Sequence, residues 1–310
     1  MPPHVTNAES AQFQKAVPCP HCRGTAPYFL SSSDRNRRTT RKKFHYYKCD
    51  QCGLVFMDSP PSDMSPFYAG GYDPIPATAA DLRLIAAGEK YRTEPLLKHK
   101  TRGRCLEIGP WRGVICANMK DAGFDVTAIE MDTNCVAFLR DQLGVQAIQS
   151  TDPAETMKSL QPGFDTIIAW HSLEHLPRPW QVIEQASRLL APGGILLLAM
   201  PNPNSYEFSV LKSMWMHLDA PRHIYLFSIK TLVNLCESLQ LQPLEITTAD
   251  TFSDIQSRNA WQHLIRSLVR IRYVRGLAAI TLGSLLYRRA YKHQRTEGRG
   301  SAYTALFIRR

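Results

Sequence analysis

Two groups of residues in this chain have types and spacings that could do chemistry. Cys19-Pro-His-Cys22 and Cys49-Asp-Gln-Cys52-Gly53 are two knuckles separated by 26 residues, the ligand set of a zinc ribbon. Four thiolates close a tetrahedral shell with no position left for water, so a metal held there is structural rather than catalytic. The second group is the run CLEIGPWRG at 105–113 with Glu130 beyond it. An apolar strand, Cys105 to Ile108, enters a tight turn containing Gly109 and Gly113, where the missing Cβ lets backbone approach a ligand. The helix-spaced segment that follows ends at Gly123, and DVTAIEMD (125–132) reads as a buried strand closing in carboxylates. Glu130 lies 21 residues after Gly109, the spacing at which an acid meets ribose hydroxyls in nucleotide-binding βαβ units. The chemistry these residues indicate is the binding of a nucleotide-type cofactor.

A glycine turn followed by an acid suits a nicotinamide enzyme as well as a methyltransferase, and the downstream residues separate the two. FDTIIAWHSLEHL (164–176), a helix, and LLAPGGILLLAMPN (189–202) resemble the fourth and fifth strand regions of class I S-adenosylmethionine-dependent methyltransferases of the zinc-ribbon-containing type. With the first two elements the resemblance covers about 100–250 in the right order. It implies S-adenosylmethionine as cofactor, with Glu107, Gly109 and Gly113 in the first motif and Glu130 at the ribose. Asp152 stands where the family often has an acid near the adenine amine; it also reads as an N-cap ahead of Pro153. Asp132 reads as the cap of a helix starting at Thr133. One departure is Trp111, which occupies the place of the family's middle glycine and would either form pocket wall or crowd the methionine end of the cofactor.

Methyl transfer needs positioning, exclusion of water and, for a hydroxyl or enolisable carbon, removal of a proton. Two histidines are candidates for that last task. His171 follows strand four, and His223 lies in MHLDAPRHIYLFS (216–228), similar to a D-x-P-R-H pattern in zinc-ribbon methyltransferases. There Asp219 could orient the His223 ring and Arg222 could bind an acidic acceptor bidentately; equally, the segment is ordinary turn chemistry and His223 ties the loop to the core. His175 reads as a structural residue at a helix start. Tyr68 and Tyr72 are candidates for a lid over the cofactor mouth or for packing the linker.

The elements that must position these groups follow from periodicity. Strands are expected at about 104–109, 125–131, 145–150, 165–171, 194–201, 242–249 and 302–309, with helices between the first six, which makes an α/β, mainly parallel, Rossmann-like sheet. The last strand resembles the antiparallel seventh strand of the methyltransferase fold. The domains read as a zinc ribbon at 1–60, a linker and lid helix at 61–98 with the helix over 79–98, and a methyltransferase domain at 99–310.

Within that last domain, 255–298 is a helical insertion. Residues 255–310 hold 12 Lys and Arg against the single acid Glu297, so the whole net charge of +10 lies there. Such a field attracts phosphates of nucleic acid, of a phospholipid surface or of a sugar nucleotide. The apolar run from Gly276 to Tyr287 is 12 residues, short of the roughly 20 that span a bilayer, but long enough to lie in its interface; a helical hairpin packed on the substrate side or in a dimer contact is the alternative. DRNRRTTRKK (34–43) reads as a solvated basic tip. The polar N-terminus shows no secretory pattern, and the scattered remaining cysteines suit reduced thiols, which predicts a cytoplasmic protein with peripheral membrane contact through 255–298.

The function expected is transfer of a methyl group to a small-molecule, sugar-type or glycan-precursor acceptor by O- or C-methylation. A nucleic-acid-associated zinc-ribbon protein, or a degenerate fold serving as a scaffold, are the rivals. The lack of aromatics among the basic residues of 34–43 argues against base stacking there.

Overall fold

The computed structural model describes residues 15–68, 74–269 and 272–310. The N-terminal part holds a short pair of strands, β1 (Val17–Pro18) and β2 (Thr25–Ala26), beside the first knuckle, then β3 (Tyr28–Ser33), β4 (Lys43–Lys48) and β5 (Val55–Met57). Helices α1 (Ser65–Tyr68), α2 (Ala79–Gly88) and α3 (Glu94–Leu97) lead into the main sheet. The single helix expected over 79–98 is therefore broken. Pro95 cannot donate to the carbonyl of Tyr91, and Gly88 is a weak helix former, so a new turn starts after Thr93.

From there strands and helices alternate: β6 (Gly103–Ile108), α4 (Val114–Asp121), β7 (Phe124–Glu130), α5 (Thr133–Asp141), β8 (Gln146–Gln149), α6 (Pro153–Lys158), β9 (Phe164–Trp170), α7 (Pro179–Leu189) and β10 (Leu190–Pro201). After β10 come α8 (Tyr206–Leu211), the two-residue β11 (Tyr225–Leu226), α9 (Ile229–Ser238) and β12 (Leu241–Thr247). The helical hairpin α10 (Thr251–Leu268) and α11 (Arg272–Gln294) precedes the last strand, β13 (Ala302–Arg309).

The seven strands stand in the order β12-β13-β10-β9-β6-β7-β8. Strands β6 to β10 are mutually parallel, and β13 is inserted antiparallel to both β10 and β12. Near-continuous apolar runs such as Ile195 to Met200 are what a strand covered on both faces requires. β6 has β7 on one side and β9 on the other, so the chain reverses direction there and a crevice opens at the carboxyl ends of these strands.

The ribbon is not a separate appendage. β5 pairs with β11, Tyr225 opposite Phe56 and Leu226 opposite Val55, so the loop after β10 supplies the fourth strand of the N-terminal sheet. Tyr46, Leu54 and Phe56 of the ribbon share one continuous apolar core with Leu106, Leu198 and Tyr303 of the main sheet.

Candidate functional site

A cavity of about 1470 Å³ lies at the carboxyl ends of β6, β7 and β9. That exceeds the roughly 300–1,000 Å³ of a pocket for one drug-sized ligand, so a cofactor and an acceptor fit together. On one side it is lined by the β6 turn and the end of β7. Gly109 has φ +69°, and a Cβ there would stand 2.8 Å from Cβ of Ser172 in the loop after β9. Only glycine lets the two loops approach this closely. Gly113 has φ +88° and starts α4. Trp111, between them, has φ +52°, the left-handed conformation that favours glycine, and lines the cavity.

Glu130 ends β7 as a buried carboxylate that accepts backbone N–H groups from both loops. Oε1 takes Met131 at 2.7 Å and Asp132 at 2.9 Å, and Oε2 takes Trp111 at 3.0 Å. Burial raises its pKa against the pull of these donors. A carboxylate has about four acceptor positions, so one remains on Oε2 toward the cavity wall it lines. Glu107 also borders the cavity but is buried; Oε2 accepts the Cys116 thiol at 2.9 Å, and burial pushes its pKa up to about 7.

Asp132 caps α5 through the N–H groups of Asn134 and Cys135. Asp152 caps α6 by accepting from Glu155 N at 3.2 Å, and its other oxygen pairs with Arg178 at 2.5 Å; neighbouring Thr151 and Pro153, rather than Asp152, line the cavity.

The other side of the cavity gathers histidines. His171, with φ +50°, places Nδ1 3.0 Å from Glu174 Oε1, and its ring lies 4.6 Å from that of Phe252 in α10. Left-handed backbone at a non-glycine residue beside a cavity is strain of the kind stored at functional sites. His223 directs Nδ1 at the carbonyl of His217, 2.7 Å away. The carbonyl can only accept, so Nδ1 carries the proton and the basic lone pair sits on Nε2. The His175 ring packs edge-on to His223 at 4.7 Å, and its Nδ1 lies 3.0 Å from the Arg222 carbonyl.

Burial depresses these imidazoles, His171 to about 3, His175 to about 4 and His223 below its ordinary value, so all three are neutral at neutral pH. One ligand-capable atom from each of Glu174, His175 and His223 lies within 4.8 Å of the others, close enough to share a proton or a cation. Tyr68 reaches this group with its hydroxyl 3.1 Å from His175 Nδ1; Tyr72 lies outside the described residues.

Two roles read from the D-x-P-R-H segment are corrected. Arg222 does not face an acceptor: it is wholly buried, held by Asp219 through Nε at 2.8 Å and Nη2 at 2.6 Å and by Asp34 at 2.8 Å. Asp219 does not orient His223. Both of its oxygens serve Arg222, Asn36 bonds it as well, and although burial alone would raise it, this cation holds its pKa down to about 2. Asp219 matches this buried cation, and Asp34, the inward-facing acid of the basic tip of 34–43, adds a second carboxylate to it. That tip is thus clamped to the loop rather than simply solvated: Asn36 donates to Met216 O at 2.8 Å, and Asp34 also takes Thr39. The ribbon holds the loop elsewhere too. The Tyr46 hydroxyl donates to His223 O at 2.9 Å, and Thr231 Oγ1 donates to Cys52 O at 2.8 Å.

The four knuckle thiols converge. Sγ of Cys19 and Cys52 are 3.7 Å apart, those of Cys22 and Cys49 are 3.4 Å apart, and all four lie within 4.8 Å of one another. With Zn–S bonds near 2.3 Å a tetrahedron has edges of about 3.8 Å, so this donor set fits zinc. Sequence reasoning missed Arg92, which lies over the rings of Trp170 and Phe252 at the cavity wall, and it missed that α10 supplies Phe252, Gln256 and His263 to the lining.

A family model described as methyltransferase domain matches residues 83–246, just over half of the chain. A ubiquinone biosynthesis O-methyltransferase from Psychrobacter cryohalolentis is 30% identical over 136 residues, covering 39% of this chain and 51% of the relative. A protein of the same name from Pseudomonas aeruginosa is 34% identical over 125 residues, covering 38% and 54%. The chain thus spans about half the length of the curated relatives it matches. Among solved structures, a SAM dependent methyltransferase from Archaeoglobus fulgidus superimposes with a TM-score of 0.50 at 18% identity over 74% of this chain and 94% of that one, a likeness of fold. The chain belongs to the methyltransferase domain family, and its sheet is that of the class I S-adenosylmethionine-dependent methyltransferases.

Proposed function

We propose that this chain moves the methyl group of S-adenosylmethionine to a hydroxyl or enolisable carbon of a small-molecule acceptor, with His223 as general base. The observation that carries the reading is the tautomer of His223: its Nδ1 proton is fixed on the His217 carbonyl, which leaves Nε2 as a base in the wall of the cavity. Bound S-adenosylmethionine supplies an activated methyl on sulfur. The acceptor oxygen or carbon forms the new bond to that methyl as the S–C bond breaks, and the acceptor proton passes to His223 Nε2. His171, neutral and locked to Glu174, is a second group able to touch the acceptor. The names of the ubiquinone biosynthesis relatives favour a hydroxyl.

For the cofactor, Glu130 would meet the ribose hydroxyls through its remaining acceptor position, with Gly109 giving backbone access, Gly113, packed against Leu139 rather than the cavity, shaping the turn into α4, and Glu107 lying behind the methionine end. Asp152 contributes by shaping the α6 turn. Cys19, Cys22, Cys49 and Cys52 would hold a structural zinc ion. The division into ribbon (to residue 60), linker and lid (61–98) and methyltransferase domain (99–310) describes the roles of these segments, although ribbon and catalytic part share one core.

The test is calorimetric titration of zinc-replete protein with S-adenosylmethionine and S-adenosylhomocysteine, followed by a screen of phenolic and sugar-type acceptors with His223→Ala alongside. Cofactor binding with acceptor turnover lost in His223→Ala supports the reading. Absence of cofactor binding overturns it.

A further inference from the structure

The hairpin of α10 and α11 has two unlike sides. On the inner side α10 gives Phe252, Gln256 and His263 to the cavity, and Gln262 packs on Gly283 of α11 so closely that a Cβ on that glycine would stand 2.7 Å from the Gln262 Cα. Ala279 and Ala290 complete the buried face of α11. The outer side is apolar and uncovered. Tyr273 is 96%, Leu277 67% and Ile280 55% exposed, and Val274, Leu282 and Leu285 are exposed as well, with Leu268 at the end of α10. Tyr273, Leu277 and Ile280 recur at helical spacing, so they form one stripe.

Charge says what this stripe faces. α11 contains no acidic residue, whereas Arg275, Arg288, Arg289 and Lys292 are exposed along it. Apolar side chains with a tyrosine at the end, beside arginines that no acid of the same helix offsets, fit the boundary between headgroups and acyl chains of an anionic bilayer. A second copy of this chain meeting it symmetrically would bring no acid of α11 to match these cations. Among the described residues no helix is long and apolar enough to cross a membrane, so the contact is with one surface.

We infer that the outer face of α11 docks on an anionic phospholipid surface, which anchors to the bilayer the helical hairpin whose α10 lines the cavity. Resting on the methyl-transfer reading, the acceptor class that follows is a membrane-resident molecule.

The experiment is co-sedimentation of the full, zinc-replete chain with vesicles of phosphatidylcholine alone and with added phosphatidylglycerol. Arg288→Gln/Arg289→Gln and Leu277→Glu/Ile280→Glu are compared, with circular dichroism and cofactor titration on the same preparations. The expected result is binding to the anionic vesicles only, reduced about 30-fold by the arginine pair and abolished by the glutamate pair, with fold and cofactor affinity unchanged. No vesicle binding, equal binding to both vesicle types, or binding unaltered in both variants overturns the inference. So does a stable dimer in light scattering that the glutamate pair dissociates, which would assign the face to a second copy. Cofactor affinity is read in the same samples, so loss of vesicle binding alone leaves the methyltransferase reading standing.

Discussion

Arg222 and Asp34 are 188 residues apart in the chain and 2.8 Å apart in the fold, both wholly buried. One cation serves two carboxylates, Asp34 from the ribbon and Asp219 from the loop before β11. Removing the cation leaves two carboxylates unmatched in the interior. Arg222→Ala is therefore expected to destabilise the protein by about 3–5 kcal/mol, measured by urea unfolding. Replacing Arg222, Asp34 and Asp219 together by apolar residues is expected to recover most of that loss; equal or greater damage in the triple variant would refute the account.

Glu130 links the β6 turn to the start of α5 through three backbone N–H groups. Glu130→Ala is expected to weaken S-adenosylmethionine binding about tenfold to a hundredfold, the scale of a lost charge-assisted bond. Glu130→Gln falls between, because its amide nitrogen cannot accept from N–H. Titration calorimetry reads both, and undiminished binding by the alanine variant would remove Glu130 from the cofactor site.

The buried histidines make the fold sensitive to acid. Burial holds His217 at about 3, with His171 at about 3 and His175 at about 4, while the unfolded chain takes up these protons near pH 6.5. Each folded value is depressed, so the stability they contribute is fully present above about pH 6.5 and is lost as the pH falls toward 4 and then 3. At about pH 5 the loss is on the order of 2 kcal/mol for His217 alone. Urea midpoints between neutral and acidic pH should fall less steeply for His217→Gln; parallel curves would contradict the assignment.

Zinc removal has an optical signature. Trp180 lies between the ribbon and the loop, its ring 5.4 Å from His21 in the first knuckle and 5.3 Å from Tyr225 in β11. Chelation, or Cys52→Ser, is expected to release one zinc ion per chain and to red-shift tryptophan emission, a shift absent in Trp180→Phe. Emission indifferent to the chelator would mean that the knuckles do not depend on metal.

The sheet was legible because its strands are long apolar runs separated by amphipathic segments, and the observed ends, such as Phe164–Trp170 against 165–171, lie within two residues of those expected except at the start of β10, which begins at Leu190 rather than 194 and is irregular up to Ile195. The cysteine knuckles were legible because ligand spacing in the chain is also spacing in space. The loop around His223 was not. Asp219 and Arg222 are close in sequence to the histidine, which suggests that they serve it, but they bond each other, and Arg222 reaches on to Asp34, a single acid in a run of cations whose burial no local pattern reveals. In the same way the contribution of Phe252 and His263 to the cavity depends on how the hairpin folds back, which no local pattern reveals.

The pairing of β5 with β11 also sets a schedule for synthesis. Met57 leaves the ribosome well before Tyr225, and at about 5–20 residues per second the intervening chain takes roughly 8–34 seconds to appear. Throughout that interval β5 presents an unpaired strand edge, an opening for contact with other nascent chains. The strand that closes it belongs to the loop that carries His223, so the ribbon is completed and the histidine positioned in a single late step.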